Sequence, residues 1–397
     1  MPDNSNQPKE DDAVLGGQNP LFDSAILGGI VGVKRRLDSA VEELRIAALS
    51  EALKYGEAGL DLVIQALEED ESKQVEKAAY LIIREPGVKQ ALQKYNPWAY
   101  FECLRTWIGH SHRVNSVALS QDGQTLVSGS TDSTIKVWNL PTGKLIRTLK
   151  GHSDSIFSVA LTPDGQTIIS GSYDTNIKIW NLQAGELIRT LEGHSNTVSC
   201  VAISTVEQIV VSGSFDSTIK VWNLQNWELI RTFELHYKRV NCVAISPDKP
   251  LIVSGDSDGN IKVFNFRTRV LLQTIEGHLY PVNSVIISPD GQTLVSRDGY
   301  HSIKIWNLQT GELIRTLEEH SSEIYCLAIS ADGQTIFSGS GNGSVNVWNL
   351  QTGELKRTLK GHLGGVNAVA ISADGQTMVS GSGSWNSDGT IKVWGVM

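Results

Sequence analysis

The sequence predicts a mainly β chain: a seven-bladed β-propeller preceded by a small all-α region. Three observations lead there. Seven histidines stand at 110, 152, 194, 236, 278, 320 and 362, each 42 residues after the last. A large aromatic follows each one, at 138, 180, 222, 264, 306, 348 and 394; all are tryptophan except Phe264, and four residues are inserted before Trp394. Between these markers, short apolar runs alternate with turn residues, which is the pattern of a β-meander and not of a βαβ unit.

The first repeat sets the blade. Residues 114–119 form an apolar run, Asp122-Gly123 a hairpin turn, and 125–130 a second run. Thr131-Asp132-Ser133 turns the chain again, and strands over 134–140 and 144–149 follow around Pro141-Thr142-Gly143. Alternation puts Ile135 and Val137 on one face and Lys136 and Trp138 on the other. Both faces carry large apolar groups, so the sheet needs cover on both sides. Seven four-stranded sheets arranged radially satisfy that need for every repeat.

The ends predict closure. Residues 391–397 are the third strand of the seventh repeat, and its fourth is supplied by Leu104-Arg105-Thr106-Trp107, which matches Ile146-Arg147-Thr148-Leu149 of the first. The propeller is therefore expected over 104–397, with strand 104–107 pairing into the last blade.

With Gly109-His110, Gly151-His152, Gly193-His194, Gly277-His278 and Gly361-His362 at the repeat starts, and Trp138-Asn139 near the end of the first, the unit resembles the WD repeat of the bacterial, near-identical tandem type. It departs at Leu235-His236, at Glu319-His320, and in carrying Asn, or Gly395, where the family has the terminal Asp. The resemblance implies a buried hydrogen-bond network in each blade: His110, Ser128, Asp132 and Trp138; His152, Ser170, Asp174 and Trp180; His194, Ser212, Asp216 and Trp222; His362, Ser380, Asp388 and Trp394. A buried imidazole or indole needs such partners, because leaving one unsatisfied costs about 1–3 kcal/mol. Spread around a ring, these histidines cannot converge on a metal ion, so no metal and no cofactor are expected.

Charge and composition narrow the function. The chain carries 34 basic and 43 acidic side chains, a net charge of −9. That balance argues against a partner made of nucleic-acid phosphates. Residues 1–103 are the acidic part, with 18 acidic and 11 basic side chains. The apolar stretch 25–33 falls short of the ~20 residues that a membrane span needs, and its charged flanks do not suit export. A cytoplasmic protein with no membrane partner is expected. Cys200, Cys242 and Cys326 fill one repeat position that elsewhere holds Ser116, Ser158, Ser284 or Ala368, so they read as reduced, structural thiols. The recurring lysines of the third strand (Lys136, Lys178, Lys220, Lys262, Lys304, Lys392) and arginines of the fourth (Arg147, Arg189, Arg231, Arg315, Arg357) read as exposed charges that discourage edge pairing. There is no nucleophile elbow, phosphate-binding loop or Cys-x-x-Cys, and no catalytic residue is assigned.

A partner site should lie in what fails to repeat. WD-repeat proteins commonly bind on the face that carries the loops joining fourth to first and second to third strands. Three positions per blade reach that face: two flank the residue opening the first strand, and one sits before the turn Asp. By this transfer Arg113, Phe157, Tyr173, Phe215, Arg239, Glu323 and Tyr325 form the candidate rim, with Trp385 added by the inserted loop. Asn115, Ser199, Asn241, Asn283, Gly299 and Asn367 hold further positions of the same set. Aromatics and arginine are the usual energetic centres of protein interfaces. Blades four and five depart most, through Phe264 and through Ser296-Arg297-Asp298-Gly299-Tyr300, which lacks the turn Asp in register.

Ahead of the ring, residues 1–22 read as a disordered acidic tail and 23–100 as a helical domain. Ala47, Ala48, Leu49, Ala52 and Leu53 predict one helix, Leu60, Val63, Ile64 and Leu67 a second, and Val75, Ala78, Ala79, Ile82 and Ile83 a third that ends at Pro86-Gly87; residues 88–92 predict a short fourth. Internal echoes such as Gln65-Ala66-Leu67 and Gln90-Ala91-Leu92 resemble HEAT-type repeats, which bind proteins. The expected function is a protein-protein interaction scaffold, not an enzyme, binding proteins or peptides on the loop face and through the helices. The alternative is a small-molecule-binding or enzymatic propeller that uses its central channel.

Overall fold

A computed structural model describes residues 29–83, 101–204, 206–317, 322–383 and 389–395. The chain divides between residues 100 and 101 into a helical unit and a ring of sheets.

In the ring, blade one comprises Val114–Leu119, Thr125–Ser130, Thr134–Asn139 and Leu145–Lys150. Each of the seven sheets is four-stranded and antiparallel, and six are continuous meanders. Blade seven is completed from the other end of the unit: Glu102–His110 pairs with Gly389–Gly395, setting Thr106 opposite Lys392 and Trp107 opposite Ile391. The first strand of each blade packs on that of the next, and the seventh packs on the first, so the ring is closed.

The two faces of a blade belong to two different cores. Ile135 and Val137 pack with Val127 against Ile156, Ile168 and Trp180 of blade two. Trp138 packs the other way, with Val379, Ile391 and Val393 of blade seven, and it stacks on Trp107 with ring centroids 5.4 Å apart. No blade can bury its apolar residues alone, which is why the ring stands or falls as a set. Glycine before the histidine follows from this packing: a Cβ on Gly109 would lie 2.1 Å from Trp138 Cη2. Blade four changes both partners together, with Leu235 and Phe264 packed in one cluster.

The helical unit contains α1 (Gly29–Leu37), α2 (Glu42–Ala52), a short 3-10 turn (Leu53–Tyr55), α3 (Gly56–Glu69) and α4 (Lys73–Ile83). Val33, Leu49, Ala52, Val63, Val75, Ala79 and Tyr80 are fully buried. Arg45 on α2 makes a two-pronged ion pair with Asp70 at 2.9 and 3.1 Å and donates to the Ser39 carbonyl at 2.7 Å. Three details correct the sequence reading. Helix α1 was not anticipated, because nine residues with only Ile30 and Val33 as large buried side chains are too few to display a period. Ala47, expected on the apolar face, is exposed, and Leu53, expected in the helix, falls in the turn after it. The expected tail 1–22, the stop at Pro86-Gly87 and the fourth helix at 88–92 lie outside the described residues.

Candidate partner-binding face

In the first three blades the polar residues form a closed circuit. His110 Nδ1 lies 2.8 Å from Asp132 and Nε2 2.8 Å from Ser128 Oγ, which also accepts from Trp138 Nε1 at 2.9 Å. Blade two repeats this through His152, Asp174, Ser170 and Trp180 at 2.7, 2.7 and 2.9 Å. Blade three does so through His194, Asp216, Ser212 and Trp222 at 2.8, 2.8 and 3.0 Å. A carboxylate only accepts, so Nδ1 carries the proton and Nε2 takes that of the serine. Burial opposes ionisation of Asp132, Asp174 and Asp216, but the bond and charge of histidine together with the hydrogen bonds of the turn outweigh it and hold all three carboxyls below their usual range, Asp174 at about 2.

Asp–His–Ser connected in this order is also the wiring of an acyl-transfer triad. Here the serine is shut away: Ser128, Ser170 and Ser212 have no exposed surface, and each hydroxyl is already held by an indole. A substrate carbonyl has no route to it. In blade seven His362 reaches Ser380 at 2.6 Å and Thr390 Oγ1 at 3.0 Å, and Trp394 donates to Ser380 at 2.8 Å. Asp388 lies outside the described residues. Blades four and five bring Asp256 and Asp298, which stand at the end of the second strand, to His236 at 2.7 Å and His278 at 3.3 Å, and in blade four Phe264 supplies no N–H to Ser254.

The repeated cations do more than guard an edge. Lys136 and Lys178 are half-buried and donate to Thr148 and Thr190 of the fourth strand at 2.9 and 2.8 Å. Lys220 is buried and bound to Thr232. Arg147 reaches the Gln183 carbonyl of blade two at 2.7 Å, and Arg189 the Asn226 carbonyl of blade three at 2.8 Å. The lysines clamp strand to strand, which corrects their reading as exposed charges; the arginines tie blade to blade, and Arg189 and Arg315 are exposed as expected.

The variable positions meet at one end of the ring in two groups. Phe157 stacks near Tyr173 and meets Phe215 edge-on, both with centroids 6.3 Å apart, and the Arg239 guanidinium sits 4.9 Å above Phe215. Across the ring, Arg113 lies 5.7 Å from the Tyr325 ring centroid, and Tyr325 donates its hydroxyl to Glu323 at 3.1 Å. Between the groups lies a cavity of about 320 Å³, lined by Arg113, Phe157, Phe215, Tyr325, Arg297 and the amides of Asn241, Asn283 and Asn367 among others. Tyr173, Arg239 and Glu323 stand outside its lining. Trp385 lies outside the described residues.

Sequence reasoning passed over several exposed apolar residues on the same loops. Tyr237, Leu279 and Leu363 are almost wholly exposed. The signal was available, since each follows the repeat histidine where Ser111, Ser153 and Ser195 stand in the first three blades. Tyr280 and Tyr300 pair with centroids 4.1 Å apart beside a cavity of about 440 Å³ that also touches His301 and Lys304. The three cysteines of the repeat position are free, and burial raises their thiols, Cys200 to about 11 and Cys326 to about 12. Among the described residues no three His, Cys, Asp or Glu side chains are grouped to hold a metal, and no helix is long and apolar enough to cross a membrane.

Comparison with known proteins places this geometry among relatives. The family model described as "WD domain, G-beta repeat" matches seven times, over 101–139, 143–181, 185–223, 227–265, 269–307, 311–349 and 353–395. Similar proteins include the small ribosomal subunit protein RACK1y of Oryza sativa subsp. japonica, 46% identical over 12% of this chain and 14% of the relative. The vegetative incompatibility protein HET-E-1 of Podospora anserina is 51% identical over 10% of this chain and 3% of its own length. The human E3 ubiquitin-protein ligase TRAF7 is 32% identical over 24% of this chain and 16% of the ligase. The matched segments span less than a fifth of each of these relatives.

Proposed function

We propose, from the premise that this chain belongs to the WD-domain, G-beta-repeat family, that it is a cytoplasmic protein-interaction scaffold whose partners dock on the loop face around the cavity. The observation that carries this reading is the convergence of Arg113, Phe157, Phe215 and Tyr325, from four different blades, on one cavity. The repeat supplies a rigid frame, and the positions free to vary supply aromatic and cationic groups. Large rings add contact area at low entropic cost, and each central anchor contributes roughly 2 kcal/mol or more to an interface. The relatives' names span a ribosomal subunit, vegetative incompatibility and ubiquitin ligation. One architecture in such different settings favours binding over a shared chemistry, and the sealed serines favour a non-enzyme. In this reading the helices, which resemble HEAT repeats, hold a second protein, and neither nucleic acid nor membrane is a partner.

The test is affinity capture with the intact chain and a Phe157→Ala/Phe215→Ala/Tyr325→Ala variant whose fold is verified by circular dichroism. Proteins retained by the wild type and lost by the variant support the reading; an unchanged set overturns it. The second reading, a propeller that takes a small molecule at its channel, draws on the same cavity and on its two arginines, Arg113 and Arg297.

A further inference from the structure

Blade five breaks the repeat at one position of that cavity. The other six blades carry glycine before the last residue of the second strand: Gly129, Gly171, Gly213, Gly255, Gly339 and Gly381. The next blade lies close by; a Cβ on Gly129 would be 2.7 Å from Ile156 Cγ2, and one on Gly255 2.5 Å from Val282 Cγ1. Blade five has Arg297 there, 7% exposed. Its Nη1 donates to the Ile324 carbonyl at 2.6 Å and its Nη2 to the Tyr325 carbonyl at 2.5 Å, while Nε is buried without a partner.

Those bonds tie blade five to blade six, but a tie needs no charge. Asn115 and Asn241 reach the corresponding carbonyls of Ile156 and Val282 at 2.8 and 3.2 Å with neutral amides. The positive charge is therefore surplus to the fold, and it is not alone. Arg113 lines the same cavity and also has a buried, unpartnered Nε. Among the described residues neither guanidinium forms an ion pair with a carboxylate. Glu323, whose carboxylate accepts from the Tyr325 hydroxyl, pairs with neither arginine. Burial, with a smaller contribution from Arg113, lowers Arg297 to about 10. Two like charges withdrawn from water beside a cavity are unfavourable unless an anion joins them.

We propose that this cavity is an oxyanion socket: Arg113 and Arg297 receive a carboxylate or phosphate group borne on a segment of a partner protein, between the rings of Phe157, Phe215 and Tyr325. The proposal rests on the reading that partners dock on this face, and it adds the chemistry they must present. Paired guanidiniums suit an oxyanion because they join charge to directional N–H donors, and Arg297 keeps its Nε–H and one Nη2 hydrogen after its bonds to the Ile324, Asp298 and Tyr325 carbonyls. Asn241 and Asn283 supply further amides on the wall.

The full chain is titrated by calorimetry with a short Glu-rich peptide, its Gln analogue, a phosphoserine peptide with neutral flanks, and inorganic phosphate. Arg297→Gly installs the residue that six blades already carry, and Arg297→Lys keeps the charge. The expected result is that at least one oxyanion-bearing peptide binds and the Gln analogue does not. Arg297→Gly should weaken binding by about 10- to 100-fold, with Arg297→Lys in between. The peptide that binds identifies the source of the oxyanion. Unchanged affinity in a folded Arg297→Gly protein, or no binding of any probe at millimolar concentration, overturns the proposal. Phosphate binding that Arg297→Gly abolishes while both peptides stay inert retains the socket and overturns its assignment to a partner segment. If the aromatic variant loses captured proteins that Arg297→Gly keeps, and Arg297→Gly leaves peptide and phosphate affinities unchanged, the docking reading stands and the socket falls. If Arg297→Gly abolishes oxyanion binding while captured proteins survive the aromatic variant, the docking reading falls instead.

Discussion

Blades one to three and blades four and five satisfy the same histidine with carboxylates that arrive from different places. In the first three the aspartate sits in the turn, 22 residues after the histidine, and its second oxygen caps the turn through groups such as the Thr134 amide at 2.9 Å. In blades four and five it stands 20 residues after, at the end of the second strand, and Asp256 caps Asp258 and Asn260 at 2.9 and 3.0 Å. What is kept is an acceptor at Nδ1 and a capped turn; the sequence position of that acceptor is free. The shift releases the turn itself, and in blade five the released position is Tyr300, half of the exposed tyrosine pair.

The comparison can be broken hardest at the shared aromatic. Trp180 is 2% exposed and joins two blades, so Trp180→Ala should lose about 3–5 kcal/mol by urea denaturation; a loss below about 1 kcal/mol would remove the aromatic from the core account. Blade four offers a sharper test. Phe264→Trp should destabilise by about 1–3 kcal/mol, because the indole meets Leu235 where blade one, for example, has Gly109 against Trp138. Adding Leu235→Gly should recover most of that loss, and a double-mutant cycle with no coupling would refute the paired exchange.

Acid probes the carboxylates. Asp174 is lowered to about 2 in the folded chain, so its contribution is complete above the unfolded carboxylate value of ~3.9 and disappears as pH falls toward 2. The wild type should lose on the order of 2 kcal/mol more than Asp174→Asn across that window, read as urea midpoints at successive pH values. Equal losses would show that the circuit does not hold the charge. The smallest expected effect is at the opposite end of the ring, where Arg189→Ala removes one bond to the Asn226 carbonyl and should cost about 0.5–1.5 kcal/mol in thermal unfolding. No change there would return the fourth-strand arginines to being simple surface charge.

Much of this was legible before any coordinates. The 42-residue period gives blade count and strand order, and the match between Arg105-Thr106 and Arg147-Thr148 points to the strand that joins the last sheet. That Arg113, Phe157, Phe215 and Tyr325 share one end of the ring was legible, because they are positions that vary on a constant frame. Arg297 was visible only as a departure, since a sequence does not say whether an arginine at a glycine position points to water or into the ring. The same holds for Asp256 and Asp298, each two residues out of register.

Periodicity by itself determined the seven-bladed frame, because every blade must bury the same two apolar faces and can do so only against a copy of itself. Which side chains reach across from one blade to another was decided by the tertiary structure. Arg147 against Gln183, Asn115 against Ile156 and Arg297 against Tyr325 are 36, 41 and 28 residues apart. Such contacts follow from how the closed ring brings neighbouring strands together, and no local pattern of residues encodes that distance.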